Sequence, residues 1–323
     1  MRICIAGAGA IGCTLAARLA AAGNEINVYA RGNTLAALRD NGISLTDKDG
    51  HFQVSVNASD DAEALGPQDL ILLCTKAHSL NAVAGSIQPL IHSQSIIIPV
   101  VNGIPWWYFQ QSEGRFKDQI IQAVDPDGAL QKLLPAQHLI GSVVFITASR
   151  SAPGVVESNN PHLMIIGEIN HTLSERIQKV QSLIAASGIE TRAVDNIRDQ
   201  IWTKIAANLT SNPLSVITRA TLAQIYSDPR LNPLARQILH EVLATAAAYS
   251  ARIRFDPQSI MEMGADMGNV RTSMLQDFEA GLPLESAAIG KAVIELAEKA
   301  GLDMPVTRST LALTDFIAEQ HSV

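Results

Sequence analysis

Along the first half of the chain, short apolar runs alternate with stretches whose apolar positions recur every three or four residues. Residues 2–6, 25–30, 70–75 and 95–101 have the β-branched, uninterrupted character of buried strands, and residues 10–22 have helical spacing. Alternation of this kind predicts a parallel sheet with crossover helices. Further apolar runs at 140–147, 155–157 and 163–167 lie closer together, with Pro153-Gly154 as a turn between the first two, and read as added antiparallel strands. A helix over 174–186 and a last strand over 189–194 complete this part. Beyond Asp195 strand signals vanish, and the pattern predicts helices over 197–212, 234–252, 286–300 and 305–320. In the third of these Ile289, Val293, Leu296 and Ala300 form one apolar stripe, Ser286 can cap the start and Gly301 can close the end. Pro305 sits in the first turn of the fourth. The expected organisation is therefore an α/β domain over 1–194 and an all-helical domain over 195–323.

One helix breaks its own pattern. In WTKIAANLTSNPL, residues 202–214, Lys204, Asn208 and Asn212 recur at four-residue steps among Trp202, Ile205, Ala206 and Leu209. Residues four apart stack on one helix face, so the three form a polar stripe. Water, another subunit, an internal hydrogen-bond network or a small polar ligand could face it.

A chain of 323 residues with 47% apolar content can bury more than one ordinary domain's core. Its net charge of -7 carries no basic run that could follow a phosphate backbone, so nucleic acid is not an expected partner. Cys4, Cys13 and Cys74 lack metal or redox-pair spacing and suit reduced, buried thiols, which favours a cytoplasmic location. The start resembles a secretory signal, but Gly7, Gly9, Gly12 and Arg18 interrupt it. No other stretch reaches the roughly 20 apolar residues of a membrane span, so no membrane is expected. Asp125-Pro126-Asp127-Gly128 reads as a turn rather than a metal site.

The sequence GAGAIG, from Gly7 through Ala8, Gly9, Ala10 and Ile11 to Gly12, places G-x-G-x-x-G between a strand and a helix. Gly7 permits the tight turn, Gly9 lets the backbone approach a pyrophosphate, and Gly12 lets helix and strand pack closely. A dinucleotide is the expected ligand. An NAD site usually carries Asp or Glu after the second strand; here Tyr29-Ala30-Arg31 offers a guanidinium, which suits the extra phosphate of NADP(H).

With Thr75-Lys76, Asn102-Gly103, the W-x-K-x-x-x-N-x-x-x-N-P-L helix, TSMLQD-x-x-A-G at 272–281 and Glu285, the chain resembles the ketopantoate reductase family, the NADPH-dependent 2-dehydropantoate 2-reductases, over almost its whole length. The resemblance implies a Rossmann-type doubly wound sheet followed by a helical domain, with a 2-keto acid bound in the cleft between them. It implies that Lys204 is the general acid protonating the oxygen left by hydride transfer, and that Glu285 is a second catalytic residue lining the substrate site. It further implies that Asn208, Asn212 and Ser273 line the substrate site and that Asn102 and Lys76 lie near the nicotinamide. Each has a plainer alternative: Asn212 ending its helix before Pro213, Ser273 capping a helix, Glu285 pairing with Lys291 or facing a helix dipole, Lys204 on the surface.

The chain also departs from the family. Ser286-Ala287-Ala288 follows the glutamate where Ile and Asp are common, and Arg219-Ala220-Thr221-Leu222 occupies a turn that often holds another Asn. In a chain with 4% aromatics, Trp106-Trp107-Tyr108-Phe109 is an unusual run that could shape a pocket, anchor the loop or contact a second subunit. These changes bear on the substrate more than on the reaction. A β-hydroxyacid dehydrogenase and a non-catalytic NADP-sensing protein are the rival readings, and apolar helical faces would also allow a homodimer.

Overall fold

The computed structural model describes residues 1–321. The chain divides into two compact units: Met1–Val101 with Trp107–Gln119 and Gly128–Ile197, and Asn102–Trp106 with Ile120–Asp127 and the chain from Arg198 onward.

The first unit is α/β. Its strands are β1 (Ile3–Ala6), β2 (Ile26–Tyr29), β3 (Ile43–Asp47), β4 (Gly50–Val54), β5 (Asn57–Ser59), β6 (Leu70–Leu73), β7 (Ile96–Pro99), β8 (Ile140–Phe145), β9 (Ala148–Ala152), β10 (Val155–Ser158), β11 (Leu163–Glu168) and β12 (Glu190–Ala193). Its helices are α1 (Ala10–Ala21), α2 (Gly32–Asn41), α3 (Ala62–Leu65), α4 (Leu80–Ser86), α5 (Ala129–Leu133) and α6 (Glu175–Ala185). A parallel five-stranded sheet runs β5-β2-β1-β6-β7. Its inner strands β1 and β6 and the edge strand β7 are buried at every position, which is why they read as unbroken apolar runs. β8 and β11 are antiparallel, as the apolar runs suggested, and β12 lies parallel to β11 in the same small sheet.

The run at 155–158 is a correction. It leaves β8 and β11 and joins β4-β3-β10-β9, parallel to β3 and antiparallel to β9. The Pro153-Gly154 turn therefore links β9 to β10. The strands β3, β4, β5 and β9 went unseen in the sequence because several of them, such as Ala-Ser-Arg-Ser-Ala in β9, are largely exposed and polar. The helix α1 touches strands of both the five-stranded and the four-stranded sheet, and buries an unbroken series from Gly12 to Leu19. Arg18 within it turns to Asp47 (2.8 Å) and Asp49 and lies 4.6 Å from the Phe52 ring.

The second unit is helical: α7 (Ile197–Thr218), α8 (Leu222–Ser227), α9 (Asn232–Ala248), α10 (Pro257–Asp266), α11 (Ser273–Glu279), α12 (Ala292–Lys299) and α13 (Pro305–His321). The helix α7 passes through Pro213 instead of ending at Asn212. Trp202, Ile205, Leu209, Leu214 and Val216 are buried along it, so packing offsets the hydrogen bond that proline cannot donate. The helix expected over 286–300 opens with a π turn at Ala287–Lys291, and Ser286 makes no capping bond. Gly301 does close it, at φ +75° with its N–H on the carbonyl of Glu298 (3.0 Å). Among the described residues no helix is long and apolar enough to cross a membrane.

Candidate functional site

Two groups of residues carry the chemistry, one in each unit. In the α/β unit the chain turns from β1 into α1 through Gly7, whose φ is +109°. A Cβ at Gly7 would lie 2.7 Å from the Thr75 methyl and 2.8 Å from the Cys74 carbonyl; one at Gly12 would lie 2.0 Å from the Gly7 carbonyl. Both positions must be glycine for β1, α1 and the end of β6 to approach this closely. Gly9 differs. No protein atom lies within 4 Å of its would-be Cβ, so the absent side chain leaves open space in front of the helix. No side chain caps α1, and the first-turn amides of Ala10, Ile11 and Gly12 face the end where an anion is stabilised. Beside them the buried Thr75 hydroxyl has no hydrogen-bond partner, and Lys76 follows it at the head of a 3-10 turn. Arg31 stands exposed just beyond β2, immediately before α2. Open space, a helix start without a side-chain cap and an orphaned hydroxyl together fit a pyrophosphate.

In the helical unit α7 holds Lys204 and Asn208, both half-buried, and Asn212, which is 3% exposed. The Asn212 Oδ1 accepts from Ser211, while its buried Nδ2 has no partner. Burial lowers the Lys204 pKa to about 8, against the opposing pull of the Glu285 charge. Glu285 is itself 6% exposed and accepts a hydrogen bond from the Asn102 Nδ2 at 3.2 Å. That contact depends on Gly103, at φ +91°, whose Cβ would meet the Ala288 backbone at 2.4 Å; the Ile104 N–H then bonds the Ala288 carbonyl (2.8 Å). The structure so brings Lys204, Glu285 and Asn102 into one electrostatic group.

Several plainer readings fall away. Asn212 does not end a helix. Thr272, not Ser273, caps α11: its hydroxyl accepts from the Leu275 N–H (3.1 Å) and bonds the Ser215 hydroxyl (2.6 Å). Ser273 is the first residue of α11 and is exposed. Lys291 pairs with Asp315 at 2.9 Å. The aromatic run is buried throughout, and Trp107 covers Gly141, where a Cβ would meet its ring at 2.7 Å. Tyr108, Phe109 and Phe116 pack ring on ring, so this loop is an anchor within the chain. Among the described residues no cluster of His, Cys, Asp and Glu could hold a metal, and the three cysteines are free and buried. Sequence reasoning missed the unpartnered hydroxyls of Thr75 and Ser286; the only signal was their place beside Lys76 and Glu285.

Comparison with known proteins gives consistent matches. The family model for ketopantoate reductase PanE/ApbA matches residues 3–171, and that for the ketopantoate reductase PanE/ApbA C terminal matches 196–318. A 2-dehydropantoate 2-reductase of Mesorhizobium japonicum is 36% identical over 99% of this chain and 99% of its own. The crystal structure of a candidate ketopantoate reductase from Ralstonia solanacearum MolK2 is 36% identical, with a TM-score of 0.95, over 99% of this chain and 98% of that one. D-mandelate dehydrogenase, solved with NADH and anilino(oxo)acetate, shares the fold at 21% identity and a TM-score of 0.86 over 100% of both chains.

Proposed function

Because the chain belongs to the ketopantoate reductase family, and is thus an oxidoreductase using a nicotinamide cofactor on a keto acid, we propose that it reduces 2-dehydropantoate to pantoate with NADPH, Lys204 acting as general acid. The α/β unit holds the dinucleotide in this reading. Gly7, Ala8, Gly9, Ala10, Ile11 and Gly12 bind the pyrophosphate through backbone amides, Arg31 binds the additional phosphate, and Lys76 and Asn102 lie towards the nicotinamide. When bound, the reduced nicotinamide supplies a hydride to the carbonyl carbon.

The chain's own residues handle the charge that follows. As the carbonyl oxygen becomes negative, the Lys204 ammonium stabilises it and passes it a proton. A pKa near 8 suits this step: the group is mostly protonated at neutral pH, yet a better donor than an ordinary lysine. That lowered pKa beside Glu285 is the observation carrying the proposal. Glu285 keeps an acceptor next to the lysine and holds Asn102 in place, and Asn208, Asn212 and Ser273 supply hydrogen bonds to the acid's polar groups.

The test is NADPH oxidation by purified protein with 2-dehydropantoate and a panel of other 2-keto acids. Saturable turnover on 2-dehydropantoate, reduced about a hundredfold or more in Lys204→Ala with NADPH binding retained, is expected. Turnover confined to another acid would keep the role of Lys204 and replace the substrate, an outcome that the departures at 286–288 and 219–222 make worth seeking. NADPH binding with no turnover on any acid would favour the sensing protein.

A further inference from the structure

The hydroxyls of this chain's helices find partners in a regular way. Thr203, Thr210, Ser211 and Thr218 on α7 each bond the carbonyl four residues back, as do Thr245 on α9 and Thr314 on α13. Ser286 does not. It is 6% exposed, its Oγ is buried, and no described group bonds it. It stands at the head of its helix, where the residue four back lies outside the helix and offers no carbonyl in register. The following turn is the π turn Ala287–Lys291, a widened geometry that recurs where a helix is shaped around a ligand. Burying a hydroxyl without a partner is costly, and its neighbour in the chain is Glu285, equally buried.

Resting on the keto-acid reductase reading above, we infer that Ser286 is a specificity-determining residue whose hydroxyl binds a hydroxyl group carried on the side chain of the substrate acid. A neutral hydroxyl suits this place better than the substrate's carboxylate, which would lie against the negative charge of Glu285. A hydroxyl can accept from Ser286 and so complete its hydrogen bonding. The assignment gives Ser286, a departure from the family's usual residue, a function in choosing among keto acids rather than in the chemical step.

The experiment compares kcat/KM for 2-dehydropantoate with that for its analogue bearing a methyl in place of the hydroxymethyl group, in wild type and in Ser286→Ala. The ratio of the two should fall about tenfold in the variant. Ser286→Cys, which nearly keeps the volume but bonds poorly, should shift the ratio the same way. Equal losses on both acids, or an unmoved ratio, would reduce Ser286 to packing and overturn the inference. Wild-type turnover confined to acids without a hydroxyl would also overturn it while leaving the reductase reading intact. If wild type neither turns over the two acids nor binds their hydroxy-acid products by calorimetry, the assignment of 2-dehydropantoate as substrate falls together with this inference.

Discussion

Lys204 carries the most consequential charge in the helical unit. Burial disfavours its ammonium and the carboxylate of Glu285 favours it, and burial wins, leaving a pKa of about 8. For keto-acid reduction kcat/KM should be level below that value and fall as pH rises through it, because the acid form is lost; a pH profile that stays level to pH 10 would remove Lys204 as the donor. The same shift has a stability consequence. The folded pKa lies below the unfolded one, so the unfolded chain holds more protons between about pH 8 and 10 and stability rises with pH across that window. At neutral pH the cost of the buried ammonium is fully present. The double variant Lys204→Met/Glu285→Gln, which removes both charges, should therefore be more stable at pH 7 by roughly 1–3 kcal/mol while being inactive, measured by urea denaturation. Arg31 is exposed, so Arg31→Ala should leave stability unchanged and raise the KM for NADPH more than that for NADH.

At the scale of elements, three glycines written alike in GAGAIG have different physical duties. Gly12→Ala places a methyl on the Gly7 carbonyl and should destabilise the fold by about 2 kcal/mol or more. Gly9→Ala meets no protein atom, so the melting temperature should barely move while dinucleotide affinity falls; a variant that melts early yet binds normally would contradict this division. In α1, Arg18 sits with the buried Asp47. Asp47→Ala would leave the buried guanidinium only the exposed Asp49 as a charge partner and should cost about 3 kcal/mol in thermal or chemical unfolding. The sequence identified α1 by its spacing but took Arg18 only as a break in an apolar run. Its partners Asp47 and Asp49 come from a strand and turn, distant in sequence, whose polar residues gave no clear pattern. α7 was legible up to Asn212, and its continuation was not: local preference at a residue before proline opposes the helix, and burial of Leu214 and Val216 overrides it.

Across the whole molecule, the helical unit is not a contiguous stretch of chain. It takes in Asn102–Trp106 and Ile120–Asp127 from the first half, through Asn102 on Glu285 and through the Gln122 and Ala123 N–H groups on Glu295 at 3.0 and 2.9 Å. A fragment of residues 195–323 lacks these segments, so Glu285 loses the Asn102 donor and Glu295 loses the two backbone N–H donors. It should unfold with lower cooperativity than the intact chain, followed by circular dichroism; a sharp transition at the intact protein's temperature would show the segments to be dispensable. Legible from the residues alone were the parallel core strands, the glycine turn and the spacing of Lys204, Asn208 and Asn212, because strand burial, steric clearance and helical periodicity are local properties that a few residues can encode. Tertiary structure alone decided that Val155–Ser158 joins the second sheet, that Glu285 meets Asn102, and that Ser286 is buried without a partner. These depend on which distant groups come together and which are left over, and no local pattern records that.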